Sequence, residues 1–215
     1  MAFFDCSELL DVVKLVDTTI ALSGIRGFLE PVEGCALHYL AAYAPGEGCI
    51  VEIGSFFGKS TAFLASGCKF NNRGWVGAVD HFLGSPEHQK GGIEETSEII
   101  EQGSVYPQFE RNMQQLGLMD TVKVFKGYSQ DVAKQWQDPI RLLFIDGNHS
   151  YENSRLDFES WEPHVTKDGL ICFHDIGNPL YVDGITRFFN EITNDSSSRL
   201  ELVCQIRTLA VLQKK

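Results

Sequence analysis

The run Val51-Glu52-Ile53-Gly54-Ser55-Phe56-Phe57-Gly58-Lys59-Ser60-Thr61 decides the fold. An apolar, strand-sized segment over residues 49–53 runs into a glycine turn, and a helical stretch over 59–69 follows. Strand, turn and helix in that order open a parallel α/β unit. Gly54 permits a tight turn with close backbone approach to a ligand, and Gly58 opens the helix. The helix N-terminus offers free N–H groups to an anion. Gly58-Lys59-Ser60 matches the end of a phosphate-cradling P-loop. The first glycine of that motif would have to stand at Ile53, which excludes it.

Outward from this run, short apolar segments alternate with amphipathic ones. Residues 75–79, 122–125, 141–145 and 170–173 read as further strands. Residues 106–116, 130–136 and 151–165 read as helices, with Tyr151, Phe158, Trp161 and Val165 on one face of the last. Ile185, Phe188, Phe189 and Ile192 mark one more helix. Two closing runs, 200–204 and 209–212, are close enough for a hairpin. The alternation predicts an α/β fold: a mostly parallel sheet with right-handed crossovers and an antiparallel C-terminal hairpin.

Residues 1–46 are expected to form a helical cap ahead of a main domain over 47–215. Leu9, Val12, Val13, Val16 and Ile20 recur at helical spacing, Asp5 and Ser7 suit the start, and Ser23, Gly24 and Gly27 end the helix. Pro31 suits a first helical position, and Leu37, Leu40, Ala41 and Ala44 share a face. Residues 81–104 are too long for an ordinary connection. They hold Gly84, Gly91, Gly92 and Gly103 with Glu94, Glu95, Glu98 and Glu101, and read equally as an active-site lid or a solvated excursion.

Composition narrows the function classes. The chain has 215 residues, 43% hydrophobic and 22% charged, enough to build a core. Acidic residues outnumber basic ones by 29 to 18, for a net charge of -11. That field repels phosphate backbones, so no nucleic-acid partner is expected. No apolar run reaches membrane-span length, and no basic segment precedes an apolar one at the N-terminus. The six cysteines form no CxxC pair and read as core residues of a reducing compartment, so a cytoplasmic protein is expected.

In open α/β sheets ligands bind beyond the carboxyl ends of the strands. The five expected parallel strands end at Gly54-Ser55, Asp80, Gly127-Tyr128-Ser129, Asp146-Gly147-Asn148-His149-Ser150 and His174-Asp175. Asp80 is placed to accept hydrogen bonds from ribose hydroxyls, and Ser129 to face a base edge. One rim thus gathers glycines, acids and histidines.

These residues resemble a known family. The Val51–Thr61 run is similar to motif I of class I S-adenosylmethionine-dependent methyltransferases, and Asp80 falls where that family places its ribose-binding acid. Leu143-Phe144-Ile145-Asp146-Gly147-Asn148-His149-Ser150-Tyr151-Glu152, followed by Gly169-Leu170-Ile171-Cys172-Phe173-His174-Asp175, resembles the small-molecule O-methyltransferase branch. That branch includes macrolide-sugar and novobiocin-type enzymes of natural product biosynthesis, with kinship to catechol O-methyltransferases. The resemblance covers about residues 31–213. It implies a Rossmann-like, seven-stranded sheet and methyl transfer from S-adenosyl-L-methionine to a hydroxylated small molecule. It also implies that Glu52, Gly54 and Ser55 line the methionine end, that Asp80 binds the ribose with His81 beside the adenine, and that Ser129 sits near the adenine ring. Asp146 would lie beside the transferring methyl. In metal-using relatives an acid at the fourth strand end joins two residues at the fifth around a divalent ion; Asp146, His174 and Asp175 match those places.

Two departures matter. Asn148 stands where relatives often carry Asp, and an amide cannot take a proton. His174 stands where catechol-type enzymes use oxygen ligands, and imidazole favours manganese, iron or zinc over magnesium. A neutral hydroxyl needs a base or a metal to become a nucleophile. His149 is the preferred base and His174 the second choice, while His38, His88 and His164 are expected to be structural or solvent-facing. Tyr151, Tyr181 and the 81–104 segment would line the acceptor pocket, and Phe56 and Phe57 would wall the methionine end. A nicotinamide oxidoreductase would need GxGxxG, which is missing at Gly54–Gly58. A cofactor-binding protein without transferase activity stays open, as does a homodimer through the N-terminal helices.

Overall fold

The computed structural model describes the backbone of residues 7–215 and side chains from Leu10 onward. The expected Asp5–Ser7 cap, Cys6 and the Leu9 side chain lie outside the described residues. Helices α1 (Ser7–Ser23) and α2 (Pro31–Tyr43) come first. The alternating unit follows: β1 (Cys49–Ile53), α3 (Lys59–Phe70), β2 (Val76–Asp80), α4 (Ser97–Gln102), α5 (Tyr106–Gln115), β3 (Val122–Lys126), α6 (Ser129–Ala133) and β4 (Ile140–Ile145). Then come α7 (Tyr151–Trp161), β5 (Val165–Phe173), α8 (Arg187–Asn194), β6 (Leu200–Ile206) and β7 (Leu209–Lys214).

The strands form one seven-stranded sheet in the order β3-β2-β1-β4-β5-β7-β6. β1 to β5 pair in parallel, β7 runs antiparallel to β5, and β6 antiparallel to β7. The expected α/β class, parallel sheet and closing hairpin all stand. β1 and β4 are buried along their whole length, which is why they read as unbroken apolar runs rather than alternating ones. On one face Ile50 and Phe144 pack with Leu37, Ala41 and Phe63; on the other Val51 and Leu143 pack with Trp161, Phe173 and Phe188. The strand order reverses between β1 and β4. Their carboxyl ends part there and leave the crevice in which ligands of such sheets bind.

Two expectations change. The face of α1 formed by Val12, Val13, Val16 and Ile20 is exposed, and Leu22 is the residue that reaches the core. Helical spacing marks an apolar face but not what covers it. Helix α2 packs with α3 and β1 through Leu37 and Ala41. Helix α7 stops at Trp161, because Pro163 cannot continue it; a short 3-10 turn, Glu162–His164, intervenes and Val165 opens β5. No helix among the described residues is long and apolar enough to cross a membrane.

Candidate active site

A cavity of about 480 Å³ opens at the β1/β4 crevice, within the usual range for small-molecule sites. Its walls include Gly54–Phe57, Asp80–Phe82, Tyr128–Gln130, Asp146–His149, His174, Asp175 and Tyr181. The sequence-predicted site residues are therefore brought together, except Glu52 and Tyr151.

Glu52 does not reach the wall. It is fully buried, and its Oε2 accepts from the hydroxyls of Ser55 (2.7 Å) and Thr61. Its Oε1 has no partner. Burial pushes this carboxyl up to about 7, against the pull of the neighbouring Ser60, Thr61 and Ser55 hydroxyls. Glu52 braces the turn from below.

Gly54 lines the cavity, yet its φ of +86° and missing side chain serve a protein contact. A Cβ there would stand 2.1 Å from the main-chain oxygen of Asp146. Across the same gap Asp146 N–H donates to Ile53 C=O at 2.9 Å. Asp80, at the end of β2, shapes the other side of the turn. Its Oδ2 accepts from Ser55 N–H (2.9 Å) and Phe56 N–H (2.8 Å), and its Oδ1 from Phe82 N–H (2.6 Å). Oδ2 is filled by these two donors, and Oδ1 keeps capacity for one more. His81 lies edge-on to Tyr128, with ring centroids 5.2 Å apart. Ser129 Oγ accepts from Trp161 Nε1–H at 2.7 Å.

The 81–104 segment folds over the strand ends. Its 3-10 turn, Pro86–His88, puts His88 against Phe56 (4.7 Å between centroids), with Phe28 stacked on both. His88, expected to be structural or solvent-facing, in fact lines the cavity. His38 is buried against Phe70, as a structural residue would be. Phe56 walls the same end as expected, while Phe57 is fully buried and is overlain by the Arg26 guanidinium.

At the opposite end two histidines meet four carboxylates. His149 Nε2 lies 3.1 Å from Asp175 Oδ2 and 3.7 Å from Asp146 Oδ1, and its Nδ1 lies 3.3 Å from Glu87 Oε1. These are ion-pair distances without hydrogen-bond alignment, and both ring nitrogens lack a hydrogen-bond partner. Burial alone would lower the His149 imidazole, but Asp146, Asp175 and Glu87 carry it up to about 11. Tyr181 stacks on this ring at 4.1 Å, and its buried hydroxyl is also unpartnered. Tyr151 does not reach the cavity; its hydroxyl donates to Glu191 at 2.6 Å near the surface.

His174 sits deeper. Its Nδ1 lies 3.1 Å from Asp146 Oδ1 and 3.3 Å from Asp175 Oδ2, and its Nε2 lies 3.1 Å from Glu33 Oε2. Burial opposes its charge, but Asp146, Asp175 and Glu33 hold its imidazole well above the usual range. Asp175 in turn is held well below the ordinary carboxyl range: burial would raise it, but His149 and His174 outweigh that. Among the described residues, the group whose ligand atoms converge within 4.8 Å is Asp146, His149 and Asp175. His149 thus takes the place expected for His174, both of whose ring nitrogens are already engaged.

Sequence reasoning missed Glu33 and Glu87. Glu87 lies next to a proline inside the segment read as a lid. Glu33 sits in the first turn of α2, where an acid is an ordinary capping residue, and nothing local signals its burial.

This arrangement, a parallel sheet with a ligand cavity at its switch point and an acid at the end of β2, defines a nucleotide-cofactor-binding α/β protein. Residues 51–176 match the family described as a methyltransferase domain, and the chain belongs to that family. A curated relative, the protein y4gI of Sinorhizobium fredii, is 24% identical over 152 residues. The match takes in 66% of this chain but only 15% of that protein, so the chain spans a small part of its length. Among solved structures, cofactor-bound Rv0187 from MTB superposes with a TM-score of 0.65 at 19% identity, covering 94% of this chain and 88% of that one. The Bacillus cereus O-methyltransferase in complex with SAH gives 0.63 at 20% identity, covering 95% and 90%. The fold is the one those two structures share. A nicotinamide oxidoreductase is set aside by family membership and by the missing glycine pattern.

Proposed function

We propose that this chain transfers the methyl group of S-adenosyl-L-methionine to a hydroxyl of a small metabolite. The carrying observation is the cluster of unpartnered buried polar atoms, His149 Nδ1 and Nε2, Glu87 Oε1 and Tyr181 Oη, beside a cavity of cofactor size. Buried polar atoms without partners mark a place where a ligand completes the structure.

The residues present fit the cofactor. Asp80 Oδ1 keeps one acceptor site for a ribose hydroxyl, His81 and Tyr128 offer ring surface to the adenine with Ser129 nearby, and Ser55 with the Phe28–Phe56–His88 stack encloses the methionine end. S-adenosylmethionine supplies a methyl on a sulfonium, already activated for in-line displacement. The protein's share is alignment and handling of the acceptor's proton. Asp146 faces the crevice between cofactor and acceptor, and Tyr181 and His149 form the acceptor wall. With its imidazole carried up to about 11, His149 is charged at neutral pH, so its Nε2–H orients the acceptor oxygen while a carboxylate of the Asp146–Asp175 pair takes the hydroxyl proton.

Two oxygens and one imidazole nitrogen from Asp146, Asp175 and His149 suit a divalent ion such as manganese or iron better than magnesium. Such an ion would displace the His149 proton in taking that nitrogen as a ligand, and would lower the pKa of a bound hydroxyl. The free thiols Cys35, Cys49, Cys68, Cys172 and Cys204 suit a cytoplasmic setting. The acceptor class, phenol or sugar hydroxyl, matches a place in natural product biosynthesis.

Incubation with methyl-labelled S-adenosylmethionine and a panel of phenolic and sugar acceptors tests the reading. Label should move to oxygen in at least one acceptor, and Asp146→Ala should abolish it. Full activity in that variant would remove Asp146 from the site, and consumption of none of the panel would favour a cofactor-binding protein without transferase activity.

A further inference from the structure

Glu33 lies on α2, 141 residues before His174 in sequence, yet the two side chains touch in the interior. The Glu33 carboxylate accepts four hydrogen bonds. Thr208 N–H (2.9 Å) and Thr208 Oγ1–H (2.7 Å) reach Oε1; Glu30 N–H (3.0 Å) and the His174 ring (3.1 Å) reach Oε2. The group is 1% exposed, and its acceptor capacity is filled. It ties the start of α2 and the β6–β7 turn to one ring of the site.

The tie converges on Asp175. His174, on one side of it, is held by Glu33. Ile176, on the other, donates its N–H to Thr208 C=O at 2.9 Å. Asp175 itself has φ +61°, a left-handed conformation that a non-glycine residue keeps only where its surroundings over-determine it. The far nitrogen of His174 faces both Asp146 and Asp175. A carboxylate remote from the cavity therefore fixes the ring that spaces the two acids lining it.

We propose that Glu33 is a positioning residue, which acts through His174 to set the Asp146–Asp175 pair for cofactor and acceptor. The inference rests on the methyl-transfer reading only for its functional consequence; the geometric claim concerns the pair alone. Gln at 33 keeps the size but offers one acceptor oxygen, and turns an NH2 toward donors, so the tie breaks.

The test compares the native protein, Glu33→Gln and Thr208→Val by NMR of the histidine rings, thermal melting and calorimetric titration with S-adenosylmethionine. Thr208→Val removes one donor to Glu33 while leaving the contact with His174. In Glu33→Gln the ring signals of His149, which Glu33 does not touch, should shift, those of His164 should not, and S-adenosylmethionine affinity should fall about tenfold, or 1.4 kcal/mol. In Thr208→Val only the melting temperature should fall. If Glu33→Gln does not fold, Glu33→Asp carries the same readout with the charge kept and the reach shortened. Unchanged His149 signals in the Glu33 variant, or equal shifts in Thr208→Val, overturn the inference and leave Glu33 as a hairpin anchor. If the native protein does not bind S-adenosylmethionine, the methyl-transfer reading fails while the His149 signals still decide the role of Glu33.

Discussion

Gly54 and Asp146 meet across the crevice so closely that a single added carbon on Gly54 would lie 2.1 Å from the Asp146 carbonyl oxygen. The two residues end the strands between which the sheet reverses its order. The glycine of the opening motif thus holds the wall of the cavity, and the acid beside it, in register with β1. Gly54→Ala should cost about 3 kcal/mol, combining the clash with the left-handed backbone. Gly91→Ala, at φ +83° with nothing within 4 Å, should cost about 1 kcal/mol. Urea unfolding of both variants checks this; equal costs would mean that the Asp146 contact does not matter.

Asp80 ties three backbone amides of two loops with one carboxylate. An asparagine presents only one oxygen to them. Asp80→Asn should weaken S-adenosylmethionine binding by about 2 kcal/mol, near thirtyfold, with a smaller loss of stability. Calorimetry and melting on the same sample separate the two effects. Native affinity in the variant would take Asp80 out of the cofactor site.

Glu52 gives a pH signature. Its carboxyl rises from 4.5 to about 7 in the fold. The folded state therefore holds the proton more tightly than the unfolded state does. Below pH 4.5 both states are protonated and nothing is lost; between 4.5 and about 7 stability falls as pH rises, by about 3 kcal/mol in all, and then levels off. Glu52→Gln should remove this decline, so that the variant gains on the native protein between pH 5 and 7. Parallel melting curves for the two proteins across that range would contradict the assignment.

Much of this was legible in the chain. The β1 and β4 runs announce buried parallel strands because both faces are covered, and the rim acids follow from where those strands end. What escaped is what depends on packing across the sequence. The α1 stripe of Val12, Val16 and Ile20 has the right period for a buried face and is exposed. Glu33 reads as a first-turn acid and is a buried partner of His174. His149 and His174 were both candidates from their positions. Only the fold shows that His174 is engaged at both nitrogens and His149 is not.

The metal expectation has its own measurement. Manganese titration followed by EPR should show one ion bound by the native protein, at least tenfold weaker binding in Asp175→Asn, and little change in Glu87→Gln, because Glu87 lies outside the converging trio. Equal binding by native protein and Asp175→Asn would remove the ion from this place.

The central claim is that the crevice between β1 and β4 receives a methyl-donor cofactor. Isothermal titration of the native protein with S-adenosylmethionine, S-adenosylhomocysteine and NAD tests it most directly. One site per chain is expected for the first two, in competition with each other, and no heat of binding for NAD. Saturable binding of NAD, with none of S-adenosylmethionine, would contradict it.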